Sequence, residues 1–338
     1  VLRAGVASSG NEHRLGANEA PPAIISVFMG DMLTRVIEDI AAGKTSPTNA
    51  KEAMITLGVA RLPEIQKDNT DRNRTSPFAF TGAKFEFRAV GGSQSIAFPV
   101  MLLNATVAEA IGELTVQLRA ALGNTKSVDD AVLKVVRKAF KETADVRFEG
   151  NNYSDEWVKD ATKRGLPNLR RTPEALEQLL TKPARALFEG LGILSREELE
   201  SRFHVHMERY VKDMLIELHT LLQLADTMIL PAAFGYHGTL IDTASKAKDL
   251  GLAAVPELEA AKELGAVIQQ AQKRRAALAK VLAKADGMHE QPHEQARLLT
   301  SDGADRMADL RASCDALELI VPDDRWPLPK YREMLFPV

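Results

Sequence analysis

The sequence predicts an α+β protein whose strands are confined to the first part of the chain and whose remainder is mainly helical. Three observations carry this. Residues 84–90, Lys-Phe-Glu-Phe-Arg-Ala-Val, alternate charged and apolar side chains with the period of two that marks a strand. About half of the 21 glycines precede residue 126, and the chain beyond it is rich in Ala, Leu, Glu, Lys and Arg, which favour helix. Beyond residue 195, apolar residues recur three and four apart in three long stripes. The expected domains are 1–125, which holds the strands, and 126–338, a helical region of long antiparallel helices.

The 338 residues suit about two domains of roughly 100–200 residues each. Hydrophobic residues make up 45% and charged residues 26%, the balance of a globular chain rather than a disordered one. Lys and Arg number 43 against 46 Asp and Glu, a net charge of −3. That near-balance argues against nucleic acid as the main partner. A single cysteine, Cys314, excludes an intrachain disulfide framework and fits a reducing, cytoplasmic compartment. No uninterrupted apolar run reaches the roughly 20 residues of a membrane span, so no membrane partner is expected. The chain opens Val-Leu-Arg-Ala-Gly, with neither Met nor a signal pattern. This suggests a fragment or a processed chain.

Residues 1–20 read as loop. Pro21 and Pro22 are suited to a helix start, because proline has no N–H to leave unpaired there. A helix should follow, with Ile25, Met29, Met32, Val36 and Ile40 on one face and Gly43 ending it. Residues 43–76 look irregular. In the strand at 84–90, Phe85, Phe87 and Ala89 take one face and Lys84, Glu86 and Arg88 the other. Pro77–Gly82 is a candidate for the strand before it. A helix through Met101, Leu102, Val107, Ala110, Ile111, Leu114 and Leu118 runs to Gly123. Ser127 caps the next helix, and Thr172-Pro173-Glu174 starts another. Ser195 with Glu198 forms a capping box. The three stripes are Leu199 to Leu221, Leu264 to Leu282, and Met307 to Leu317. Short connections between them suggest an antiparallel bundle. No internal repeat or low-complexity tract stands out.

His289-Glu-Gln-Pro-His293 matches the HExxH pattern of zinc proteases. That chemistry needs both histidines on one face of an intact helix, and Pro292 between them breaks it. A helix-start loop is expected instead. His204 and His206, two apart in a helix, point to different sides. Asp323-Asp324 reads as a surface turn.

The Lys84, Glu86 and Arg88 face fits either a solvated strand face or a site for anions and metal. Glutamate oxygens suit a hard cation, and arginine forks fit phosphoryl or carboxylate groups. Two loops support the second reading. Asn11–Pro22 is polar and glycine-containing, and Asp71–Ser76 packs cations and hydroxyls into six residues.

At these residues the sequence resembles glutamine synthetase of type III. The resemblance rests on Gly10–Ser26, on Asp71–Gly82 with Lys84–Arg88, and on Trp326–Glu333. It extends to Tyr153–Trp157 and Arg164–Leu169 and covers essentially the whole chain. It implies a C-terminal half: the remainder of an antiparallel catalytic sheet, whose concave face holds the site, followed by a helical region. The implied reaction joins ammonia to glutamate with ATP and Mg²⁺ or Mn²⁺, through γ-glutamyl phosphate.

By resemblance, Arg14 holds the glutamate carboxylate, and Glu19 closes over the site and helps accept a proton from ammonium. Arg74 faces the transferred phosphate. Glu86 is a metal ligand, Arg88 binds substrate and phosphate, and Lys84 lies near the nucleotide. There are departures. Shorter family members carry one more residue between the counterparts of Arg14 and Glu19. They also have a second arginine where this chain has Ala79; Arg72 is a possible replacement. The family's other metal carboxylates, its nucleotide-binding histidine segment and its N-terminal β-grasp domain are not found in these residues. The isolated chain is therefore expected to be inactive, and the whole enzyme to form a homo-oligomeric double ring. Two other readings compete: a ligase using an amine other than ammonia, and a non-catalytic helical assembly or regulatory protein.

Overall fold

The structure, a computed structural model, describes residues 1–17, 20–43, 54–55, 65–66, 75–82, 84–91, 94–125, 127–253 and 255–335. They divide into two compact units, Val1–Phe203 and His204–Val338. Residue 125, the boundary expected from composition, lies inside the first unit.

The described strands are short: β1 (Val27–Phe28), β2 (Met54–Ile55), β3 (Ile65–Gln66), β4 (Phe78–Phe80) and β5 (Phe85–Phe87). β2 and β3 form an antiparallel pair within the stretch expected to be irregular. The other three form one sheet in the order β1-β4-β5. β4 and β5 pair antiparallel, as the alternation and the preceding Pro77–Gly82 segment suggest. β1 joins β4 in parallel, with Val27 opposite Phe78. The sheet is thus mixed, where a wholly antiparallel one was expected.

α1 (Leu2–Gly5) opens the first unit. The helix expected from residue 25 begins only at Gly30, as α2 (Gly30–Ala42). Two contacts set that start. Val27 and Phe28 are drawn into the sheet, and the Glu149 carboxylate accepts from the Met29 and Gly30 N–H groups at 2.9 Å each. An acid at this end satisfies N–H groups that have no partner within the helix and favours the helix dipole. The buried face carries Ile37, while Met32, expected inside, is exposed. Gly43 ends the helix at φ 75°, as its identity foretells.

α3 (Ala97–Leu122) starts earlier than expected, and its apolar face is largely uncovered. Leu102, Ala105 and Ala121 are buried, yet Val107, Ile111 and Leu114 of the expected core stripe are exposed. By length and composition α3 is apolar enough to cross a membrane, although it carries Glu109 and Glu113. Its end packs on α4 (Val128–Glu142) through Leu118, Ala121, Ala131 and Val135. The Ser127 hydroxyl caps α4, accepting from the Asp130 N–H at 3.2 Å.

α5 (Asp155–Lys163) is capped by Ser154, which accepts from the Trp157 N–H at 3.1 Å. Trp157 is buried and stacks on Phe148, with ring centroids 3.8 Å apart. α6 (Thr172–Glu177) and α7 (Lys182–Gly190) come next, and the unit boundary falls within α8 (Arg196–Leu224). The capping box forms as read: the Glu198 N–H donates to Ser195 Oγ at 3.2 Å, and the Ser195 N–H to Glu198 Oε2 at 2.8 Å.

The second unit is helical. After α8, a π-turn at Ala225–Ile229 leads into α9 (Leu230–Asp249). Pro231 has no N–H for the Thr227 carbonyl and would clash with it, so the helix widens there. α10 (Val255–Asp286), α11 (Pro292–Leu298), α12 (Ala304–Ile320) and α13 (Tyr331–Leu335) complete it. α10 packs against both α9 and α12. His237 Nε2 meets the Ala261 carbonyl at 3.0 Å, and Arg275 Nε donates to Asp226 Oδ1 at 2.8 Å. The two pairings run in opposite sequence directions, so α9 and α10 are antiparallel. Leu264, Ile268, Leu278 and Leu282 of α10 and Leu310, Cys314 and Leu317 of α12 are buried, as their spacing requires.

Candidate functional site

The β4–β5 hairpin sets the geometry. Thr81 N–H donates to the Lys84 carbonyl at 2.8 Å, and Gly82 supplies the positive φ (90°) that the turn needs. Register pairs Phe78 with Phe87, Ala79 with Glu86, and Phe80 with Phe85. Four phenylalanine rings therefore share one face, with centroids 5.3–6.0 Å apart. Phe85 stays 45% exposed, so it does not pack behind the charged face as fully as expected.

On the other face Lys84, Glu86 and Arg88 stand together. Lys84 Nζ lies 3.0 Å from Glu86 Oε1, and Arg88 Nε lies 3.4 Å from Oε2. The Lys84 side chain is 70% exposed and that of Arg88 only 17%. The Lys84 ammonium bonded to Glu86, helped by Arg88, holds the carboxyl below its ordinary range; partial desolvation acts in the opposite direction. The Arg88 N–H donates to the Pro77 carbonyl at 2.7 Å, which ties this corner to the start of β4.

Arg14 ends a 3₁₀ turn, Ser9–Arg14, and its side chain is exposed. The next residue, Leu15, packs with Ala23 and Val90, so the Arg14 turn sits against the chain just beyond Arg88. Ala79, the position at which the resemblance implies a second arginine, is fully buried. Glu19, Arg72 and Arg74 lie outside the described residues.

Three anchoring residues escaped the sequence reading. Glu12 accepts from the Thr172 N–H at 2.5 Å and lies 3.6 Å from Arg171. Glu149 caps α2. Asn152, 2% exposed, accepts from Ser26 Oγ at 2.7 Å and donates to Ser76 Oγ at 3.2 Å. Each partner lies more than 70 residues away, so no local pattern announces it. The HExxH segment behaves as expected: Gln291 is non-helical (φ −126°, ψ 60°) and Pro292 opens α11.

Mg²⁺ demands near-octahedral oxygen ligation. Glu86 offers one carboxylate, and both of its oxygens already face cations. Among the described residues no group of three or more His, Cys, Asp or Glu side chains is placed to hold a metal. These residues alone therefore do not build a metal site; a cation at Glu86 needs further oxygen ligands from elsewhere.

A shallow cavity of about 270 Å³ in the second unit is lined by His204, Met207, Val211, His289 and Pro292. Its charged residues Glu208 and Lys212 pair with each other at 2.8 Å.

The described part of the candidate site is thus a strand-borne carboxylate, Glu86, between Lys84 and Arg88, near the turn that carries Arg14. Residues 131–248 match the family model of the glutamine synthetase C-terminal domain. Across nearly its whole length the chain is similar to glutamine synthetases, including the type III enzyme. It is 37% identical to a glutamine synthetase of Bacteroides fragilis over 99% of the chain and 47% of that protein. It is 38% identical to a type-3 glutamine synthetase of Dictyostelium discoideum, over 99% of the chain and 46% of that protein. The chain spans about half the length of the curated relatives it matches.

Proposed function

We propose that this chain supplies the C-terminal part of the active site of an ATP-dependent ligase that forms glutamine from glutamate and ammonia through γ-glutamyl phosphate. The observation that carries the reading is the Lys84–Glu86–Arg88 cluster beside the Arg14 turn, in a chain similar to glutamine synthetases over 99% of its length.

In this reading Arg14 and Arg88 hold the carboxylate and phosphoryl groups, for which the planar guanidinium is suited. Lys84 lies toward the nucleotide, and Arg74 faces the transferred phosphate. Glu19 closes over the ammonium and takes its proton. Bound Mg²⁺ or Mn²⁺ would supply charge neutralisation for the transferring phosphate. Glu86 would contribute one ligand to a set completed by residues outside those described. Phosphoryl transfer is mostly positioning and electrostatic stabilisation, which such a wall provides. The enzyme would act in the cytoplasm as a homo-oligomeric double ring, and the isolated chain would be inactive.

The test is ATP-dependent glutamine formation by the natural protein that contains this chain, assayed with ammonium and with larger amines. Turnover with ammonium alone supports the reading. Preference for a larger amine replaces it with a related γ-glutamyl ligase. Turnover by the isolated chain contradicts the predicted inactivity. The exposed apolar face of α3 favours a second, non-catalytic role in helical assembly. Absence of turnover by the natural protein would support that role.

A further inference from the structure

Three buried polar side chains are linked in a row by hydrogen bonds, Ser26 to Asn152 and Asn152 to Ser76. Asn152 joins the residue before β1 to a residue two before β4. Two backbone bonds continue the chain. The Phe78 N–H donates to the Ser26 carbonyl at 3.2 Å, and the Arg88 N–H donates to the carbonyl of Pro77, next to Ser76, at 2.7 Å. The Arg88 guanidinium then reaches Glu86.

We propose that Asn152 is a positioning residue: through Ser76 and Pro77 it fixes where the Arg88 guanidinium sits in the ligase site. The inference rests on the ligase reading for what Arg88 does, but not for the linkage itself. Buried side-chain hydrogen bonds contribute modest net stability and hold geometry tightly, because an unmade bond is costly in a low-dielectric interior. β4 and β5 pair over only three residues each. So short a hairpin needs an anchor to hold one register. The anchor lies in the Asn151–Ser154 turn, which α5 holds in place through the Ser154 cap and the buried Trp157.

The test uses Asn152→Ala and Ser76→Ala in the natural protein that contains this chain, with Val135→Ala of the α3–α4 contact as the stability control. Amide hydrogen exchange is read first. The Arg88 and Phe78 amides should exchange roughly tenfold or more faster in both variants and stay unchanged in Val135→Ala. Glutamine formation is read second. kcat should fall roughly tenfold or more in both variants, while KM for ATP moves less than about threefold. The control should lose thermal midpoint without losing kcat. If Asn152→Ala does not fold, Ser76→Ala, which removes one hydroxyl, decides. Unchanged Arg88 exchange, or a kcat loss no larger than the control's, overturns the proposal. A wild-type protein that forms no glutamine overturns the ligase reading instead, and the exchange result still judges the positioning.

Discussion

The Glu12 carboxylate accepts the Thr172 N–H at 2.5 Å, across 160 residues of chain. One acid thereby caps the start of α6 and tethers the turn that carries Arg14. Arg3 strengthens the same seam, donating from Nε to the Leu169 carbonyl at 2.9 Å. Removing the acceptor leaves a part-buried N–H without a partner, at a cost of about 1–3 kcal/mol. Glu12→Ala should lower the denaturant midpoint accordingly, and Glu12→Gln, which keeps an acceptor, should lose less. Equal losses in the two variants would show that the charge, not the bond, is what matters.

Trp157 is buried and stacked on Phe148, with Arg164 5.3 Å from its ring centre. Trp157→Ala should destabilise the first unit by roughly 3–5 kcal/mol, since it empties a large buried volume and removes the stack. Equilibrium urea unfolding followed by circular dichroism measures this. A loss under about 1 kcal/mol would mean that the site collapses to fill the space.

Cys314 is buried on α12, and burial, together with Asp315, pushes its thiol up to about 11. The thiolate is the reactive form, so the native protein at pH 8 should resist iodoacetamide and react on unfolding in urea. Mass spectrometry reads the adduct. Rapid labelling in native buffer would contradict the burial.

Glu86 titrates below the ordinary glutamate range because Lys84, then Arg88, stabilise its charge. A carboxyl whose folded pKa is depressed adds stability above its unfolded pKa, about 4.3, and that stability is lost as pH falls through the folded value. Carboxyl NMR of the chain should give a midpoint below that of an unfolded peptide, and Lys84→Ala should raise it. A midpoint at or above the peptide's would mean that the ion pair does not form in solution.

The features readable from sequence are those set by nearby residues. Ser127, the Ser195–Glu198 box, Gly43 and Pro292 act within one turn of chain, and each takes its expected place. The alternation at 84–88 likewise put Lys84, Glu86 and Arg88 on one face. Long-range contacts set the rest. Ile25, Met29 and Met32 have helical spacing, but β4 takes Val27–Phe28 as a strand and Glu149 starts the helix after it. The stripe on α3 reads as core, yet Val107, Ile111 and Leu114 of it are exposed. Asn152 looks like any turn asparagine until Ser26 and Ser76 are seen to close on it.

The decisive experiment is Glu86→Ala in the natural protein that contains this chain, assayed for glutamine formation across Mg²⁺ concentrations. Glu86 sits in the middle of β5, but its side chain is partly exposed. The fold should therefore survive, with an unchanged circular dichroism spectrum, while turnover is abolished. A variant that turns over normally at ordinary Mg²⁺ would contradict the assignment of the Lys84–Glu86–Arg88 face to the ligase site.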